Sequence, residues 1–220
     1  MKMLRNTWIT LILATLCMPV SGAEAPPESA EGIKQRIGQG DPAAGKTKAE
    51  SELCQGCHGD DGNSTVIGVP KLAGQYAGYL IKQLQDFRSL SRRNRIMNAM
   101  AEGLGDADLA DIGAYFASQT RSKNAESAPN QVAKDLFLYG DVNRSLDSCV
   151  SCHDLNGKGR ISAGVTYPAI AAQTKGYLRL QLLNFKIGVR TNSPQGVMNK
   201  VADALTEEEI VALAEYLSGL

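Results

Sequence analysis

The chain has 220 residues, 43% hydrophobic and only 5% aromatic, with 23 basic and 23 acidic side chains. This balance excludes a disordered tail or a collagen-like repeat, and it offers no broad basic face for nucleic acid. The length suits a globular chain of one or two domains.

Residues 1–23 read as a secretory signal peptide, cleaved after Ala23. Lys2 and Arg5 precede an apolar run from Trp8 to Met18, and Pro19 leads into small residues ending at Ala23. That run is about half of the ~20 residues a membrane-spanning helix needs. Cys17 is preceded by Leu16, where a lipid-attachment site would carry a small residue, so it falls within the discarded leader. Cleavage leaves a slightly acidic chain, predicted to reside in the periplasm. Residues 24–40, rich in Pro, Gly and Glu, read as a flexible N-terminal tether.

Asp41 followed by Pro42 predicts an N-cap with proline in the first helical turn, starting a helix that leads into "CQGCHGDDG" at Cys54 to Gly62. Cys54, Cys57 and His58 form C-x-x-C-H, and Cys149, Cys152 and His153 repeat it as "CVSCH". In an exported chain four cysteines would ordinarily suggest two disulfides. C-x-x-C-H is instead the attachment signature of c-type haem. Two thiols one turn apart can each form a thioether with a vinyl group, and the adjacent imidazole reaches the iron. Two covalently bound haem c groups are therefore predicted. A zinc site would place its C-x-x-C pairs closer together and would not require the histidines; a thioredoxin-like dithiol would occur once, in a β-α-β context.

Beyond each motif the chain repeats itself. "PKLAGQYAGYLIKQLQDF" begins at Pro70 and "PAIAAQTKGYLRLQLLNF" at Pro168, an offset of 98 residues. A second block, from Met97 and from Met198, aligns at 101 because the loops differ in length. Tyr76, Leu80, Leu84 and Phe87, with Leu178, Leu182 and Phe185, recur at helical spacing. Leu109, Ile112 and Phe116 predict the buried stripe of a terminal helix in the first half. Thr206 and Glu209 form a capping box for its counterpart, whose stripe is Ile210, Leu213 and Leu217. Gly105 stands where Thr206 stands in the second half, with Asp106 available as a substitute cap. No run of strands is expected. The fold class is all-α, with domains at 41–121 and 132–220 joined by a polar linker at 122–131.

His58 and His153 are the chain's two histidines, so neither haem can have two imidazole ligands. A methionine thioether suits the other face of a ferrous iron. The repeat pairs Met97 with Met198, each seven residues before a leucine that leads the last helix. Met97 is assigned to the haem of His58 and Met198 to that of His153. Met100, aligned with Val201, is the alternative in the first half.

The order C-x-x-C-H, Pro-x-x-Ala-x-Gln, Gly-Tyr-Leu-x-x-Gln-Leu, Met and a final helix with Tyr, duplicated in one exported chain, resembles the cytochrome c4 family over nearly the whole mature chain. The resemblance implies two class I cytochrome c domains related by an approximate two-fold axis, with haem propionates facing one another across the interface. It also implies that the backbone carbonyls of Pro70 and Pro168 accept the Nδ1–H of the proximal histidines.

Two haems with both axial positions filled predict an electron-transfer protein rather than an enzyme. Its partners would be redox proteins: a quinol-cytochrome c reductase or periplasmic dehydrogenase as donor, a terminal oxidase or reductase as acceptor, with peripheral membrane association left open. One rival is the cytochrome subunit of a flavocytochrome c sulfide dehydrogenase. A two-haem peroxidase is a second, opposed by the lack of a third histidine. Arg88, Arg92, Arg93 and Arg95 form the one dense basic cluster; it reads either as a solvated loop or as charge compensation of the propionates or of an acidic partner.

Overall fold

A computed structural model of the protein describes residues 29–220, so the leader and the start of the expected tether lie outside the described residues. The first half runs through helices α1 (Ala30–Ile37), α2 (Pro42–Ser51), α3 (Gln55–His58), α4 (Ala77–Arg88), α5 (Arg95–Glu102) and α6 (Asp106–Ser118). The second half repeats this order from α2 onward as α7 (Gln131–Tyr139), α8 (Val150–His153), α9 (Lys175–Lys186), α10 (Val197–Asp203) and α11 (Glu207–Gly219).

Each half packs its entry helix against its last helix, α2 on α6 and α7 on α11. Asp41 accepts the Ala43 N–H at 2.8 Å and Pro42 opens the helix, as its sequence predicts. Gly45 permits the close approach of α2 to α6, because a Cβ there would lie 1.9 Å from the Asp111 carbonyl oxygen. Leu80, Leu104, Leu109, Ile112 and Phe116 form the first core. Leu136, Phe137, Leu178, Ile210, Leu213 and Leu217 anchor the second. The expected stripes of both terminal helices are thus buried.

The two terminal helices start differently. Thr206 Oγ1 accepts the Glu209 N–H at 3.2 Å and Glu209 accepts the Thr206 N–H at 2.9 Å, closing the capping box. Gly105 has no side chain to offer, and Asp108 accepts its N–H at 2.9 Å. Asp106, expected as the substitute cap, instead pairs with Arg88 at 2.6 Å.

Three other expectations change. The segment read as a flexible tether contains α1, whose first turn is capped by Ser29 Oγ at 3.1 Å from the Gly32 N–H and which packs against α6 and α4. The second half contains a short antiparallel hairpin, β1 (Arg160–Ser162) with β2 (Val165–Tyr167). Its turn residues Ala163 and Gly164 have φ of 49° and 76°, the left-handed pair that suits a two-residue hairpin loop. Tyr76, placed by period in the α4 core stripe, instead sends its hydroxyl across to the Gly159 carbonyl in the other half, at 3.1 Å. The polar stretch after α6 has no helix or strand until α7, yet it is tied to both halves. Arg121 Nε donates to the Ala73 carbonyl at 2.8 Å and its Nη1 to that of Ala171 at 3.1 Å.

The halves meet through reciprocal hydrogen bonds. The Gln75 side chain donates to the Ala169 carbonyl and accepts the Ala169 N–H, both at 2.9 Å. Gln173 treats Lys71 in the same way, at 2.9 and 2.8 Å. Positions 71 and 75 are the repeat equivalents of 169 and 173, so exchanging the halves maps one pair of bonds onto the other. That is an approximate two-fold axis.

Candidate haem sites

Cys54 precedes α3 in helical conformation, Cys57 lies within α3, and His58 is its last residue. Cys149, Cys152 and His153 stand likewise around α8. One helical turn thus gathers both thiols and the imidazole in each half. All four thiols are free. Burial pushes the Cys54 thiol up from its ordinary range and the Cys149 thiol up to about 11.

Both imidazoles are buried, and both are held by a proline carbonyl: His58 Nδ1 lies 2.9 Å from the Pro70 oxygen and His153 Nδ1 2.9 Å from that of Pro168. A carbonyl only accepts, so Nδ1 carries the proton and Nε2 keeps its lone pair. Burial holds each ring below the ordinary histidine pKa despite the pull of the carbonyl. The proline loops are fastened in the same way in both halves. The Leu72 and Ala73 N–H groups donate to the Gly62 carbonyl at 2.7 and 3.1 Å, and those of Ile170 and Ala171 to the Gly157 carbonyl at 2.8 and 2.9 Å.

Met97 and Met198 lie in the first turns of α5 and α10, half-buried and outside both hydrophobic cores. Met100, one turn further along α5, is also half-buried. The Met97 N–H donates to Asn94 Oδ1 at 3.0 Å and the Met198 N–H to Ser193 Oγ at 3.2 Å. The next residue locks each turn: Asn98 donates to the Phe87 and Arg92 carbonyls, and Asn199 to those of Phe185 and Arg190.

The basic cluster divides. Arg88 binds Asp106 and the Leu104 carbonyl, Arg93 and Arg95 are exposed, and Arg92 is 8% exposed at the domain interface. Arg92 donates to Gln83, Gln181 and the Tyr177 hydroxyl at 2.8, 2.9 and 3.0 Å. Its equivalent Arg190, 7% exposed, donates to Gln181, Gln83 and the Tyr79 hydroxyl at 2.8, 3.0 and 3.1 Å. Their guanidiniums lie over Phe87 and Phe185, 4.6 and 4.4 Å from the ring centroids. Burial disfavours the Tyr177 phenolate, but the two guanidiniums outweigh it and bring the hydroxyl below its ordinary range.

Neither Arg92 nor Arg190 makes an ion pair among the described residues. A buried cation without a counter-anion is costly, and two carboxylates per haem would meet that need at the junction of the halves. The two buried imidazoles with Nε2 lone pairs left free, the paired thiols and this cationic seam all fit haem c.

Sequence reasoning placed Tyr79, Gln83, Tyr177 and Gln181 in the repeat without giving them a role, and missed Asn98, Asn199 and the role of Arg190. Their signal was present in the repeat, as polar side chains duplicated on helices whose outer faces otherwise diverge.

A cytochrome c family model matches twice, at residues 42–120 and 142–220. Cytochrome c4 of Pseudomonas aeruginosa is 40% identical, covering 82% of this chain and 89% of its own. The chain belongs to the cytochrome c4 family. A thiosulfate dehydrogenase electron acceptor of Stutzerimonas stutzeri is 37% identical over 76% of this chain and 78% of its own. The crystal structure of reduced recombinant cytochrome c4 from Pseudomonas stutzeri superposes with a TM-score of 0.77 at 38% identity, covering 83% of this chain and all of that one. The chain is accordingly a dihaem electron carrier built of two tandem cytochrome c domains, each with a covalent haem c. Among the described residues no helix is long and apolar enough to cross a membrane.

Proposed function

We propose that this cytochrome c4 carries single electrons in the periplasm from a respiratory reductase or dehydrogenase towards a terminal oxidase or reductase. Cys54 and Cys57 would anchor one haem and Cys149 and Cys152 the other; His58 with Met97, and His153 with Met198, would ligate the two irons. When bound, each haem supplies a one-electron ferric/ferrous couple. The observation that carries the reading is the doubled His–Pro contact, 2.9 Å in both halves. It orients each ring, fixes its tautomer and raises its basicity. With a methionine available to each half, neither domain is set aside for substrate.

Thioether ligation and buried surroundings favour the ferrous state, hence a positive potential suited to a terminal acceptor. Arg92 and Arg190 would neutralise haem carboxylates at the interface, and Gln75 with Gln173 holds the domains in register there. A periplasmic dehydrogenase acting on a small sulfur oxyanion is a second reading of the donor, favoured by the resemblance to a thiosulfate dehydrogenase electron acceptor.

Optical and EPR spectra of the holoprotein, before and after carbon monoxide, test the ligand set. Two low-spin haems that take up no carbon monoxide are expected. Met97→Ala and Met198→Ala should each render one of the two haems high-spin and open to carbon monoxide. A wild type that binds carbon monoxide, or a Met97→Ala variant that stays low-spin, overturns the assignment; in the latter case Met100 becomes the ligand to test.

A further inference from the structure

The rims beside the two methionines are built differently. In the first domain five residue steps lead from Arg92 to Met97, through Arg93, Asn94, Arg95 and Ile96. The second domain takes eight steps from Arg190 to Met198, and residues 191–197 carry no charge. Arg93 and Arg95 are exposed and make no ion pair among the described residues. Acids on the adjoining elements do not neutralise them: Asp86 is engaged by Lys82 and Asn192, Asp106 by Arg88, and Glu102 closes the far end of α5.

Leu90 supplies an independent clue. Its φ is +61°, a left-handed conformation that a branched side chain adopts only under strain. The equivalent position in the second domain is Gly188, with φ of +71°, the residue that relieves such strain. Yet Leu90 packs little, being 61% exposed, and nearby Ile96 is 67% exposed. The left-handed turn itself ends the helix in both domains, Leu90 donating to the Phe87 carbonyl as Gly188 does to that of Phe185, but a glycine would serve there, and nothing within the described residues repays the exposed leucine side chain beside two unpaired arginines.

We propose that this rim of the first domain is the docking face for an acidic redox protein, with Leu90 and Ile96 as the apolar centre and Arg93 and Arg95 as the steering cations. The proposal rests on the electron-carrier reading and names which domain meets the acidic partner. Opposite charge accelerates encounter and orients it, while a small apolar centre holds the complex. The second rim has no counterpart of Arg93 and Arg95: its exposed cation, Lys200, lies beside Asp203, and with Ile187 and Val189 67% and 55% exposed it suits a partner that depends less on acidic residues.

Flavodoxin, an acidic one-electron protein, serves as the probe with the holoprotein. Reduction by flavodoxin hydroquinone is followed across a salt series, and binding of oxidised flavodoxin is followed separately by amide chemical shifts. Arg93→Gln with Arg95→Gln should lower the second-order rate about 5-fold or more at low salt and flatten its salt dependence. Lys200→Gln, on the second domain, should change the rate less than about 2-fold. Leu90→Gly should fold as well as wild type yet lower the rate at every salt concentration. Shifts should cluster at residues 90–96. Equal losses in the Arg and Lys200 variants, or shifts centred on the second domain, overturn the docking proposal. Binding at residues 90–96 without any reversible haem reduction would leave docking standing and overturn the carrier reading.

Discussion

The two domains share their interiors and differ at their edges. Both hold a histidine on a proline carbonyl, both tie the methionine N–H to a short polar side chain upstream, and both contribute the same Tyr, Gln and Arg set to the interface. Outside that frame, Cys57 is exposed in the first domain, whereas Cys152 is half-buried in the second, whose hairpin residue Arg160 donates to the Ser151 carbonyl beside it. Asn94 caps α5 at Ile96 and Met97, but Asn192, after the second buried arginine, reaches across to Gln83 and Asp86. Groups that must meet one cofactor have few alternatives and stay alike. The rims meet different surroundings, and there the copies are free to diverge.

Emptying one core at a time is the strongest way to break this likeness. Phe116 and Phe137 are 1% and 0% exposed, so Phe116→Ala and Phe137→Ala should each cost about 3–5 kcal/mol. Calorimetry of the holoprotein should then show whether one half melts ahead of the other. A single transition displaced as a unit would mean that the interface couples the domains more strongly than either core is weakened.

The reciprocal glutamines sharpen the two-fold comparison. Gln173→Leu strips the partners from a buried backbone N–H and C=O at Lys71, and Gln75→Leu removes the same pair of bonds at the half-buried Ala169, whose carbonyl keeps a long contact from Arg121. Each should cost about 1–3 kcal/mol in denaturant unfolding. Unequal costs would show that one side of the seam carries more of the joint.

Helix starts give a smaller contrast. Thr206→Ala should cost about 1 kcal/mol, while Gly105→Thr should gain a few tenths of a kcal/mol. Thermal melts of the two variants would move in opposite directions if the caps act alike.

The smallest expected effect is on pH dependence. Hydrogen bonds from Arg144 hold the Glu209 carboxyl below its ordinary value. A depressed carboxylate contributes stability above its unfolded pKa and loses it as pH falls through its folded pKa. Arg144→Gln should therefore flatten the acid-side fall in stability of the second domain below about pH 4.5. The first domain has no such fork at Asp108 and should be unaffected. The pair is partly open to solvent, so the change should be modest.

Legibility in the sequence followed the range of each constraint. The grouping of Cys54, Cys57 and His58 and of their copies could be read directly, because a C-x-x-C-H spacing brings its side chains within one helical turn. The entry helix and the capping box were legible because Asp41, Pro42, Thr206 and Glu209 act on backbone atoms within three residues. Helix α1 was not: "AEGIKQRI" buries none of its residues and depends on docking against α4 and α6. The hairpin escaped because three-residue strands leave no alternation to detect, and only its Ala163–Gly164 turn marks it. Tyr79, Gln83, Tyr177 and Gln181 were visible as a repeated motif without a role, since the partners that give them one lie in the other domain.

By itself the amino-acid sequence determined the two haem attachments, the duplication, the helical class and the pairing of Met97 with Met198, since these are written in local spacing and in the likeness of the halves. Only the tertiary structure decided that the basic cluster separates into a buried Arg92, a paired Arg88 and an exposed Arg93 and Arg95. A charged side chain's environment is set by elements distant in the chain, and four arginines within eight residues look equivalent until the second domain closes over one of them.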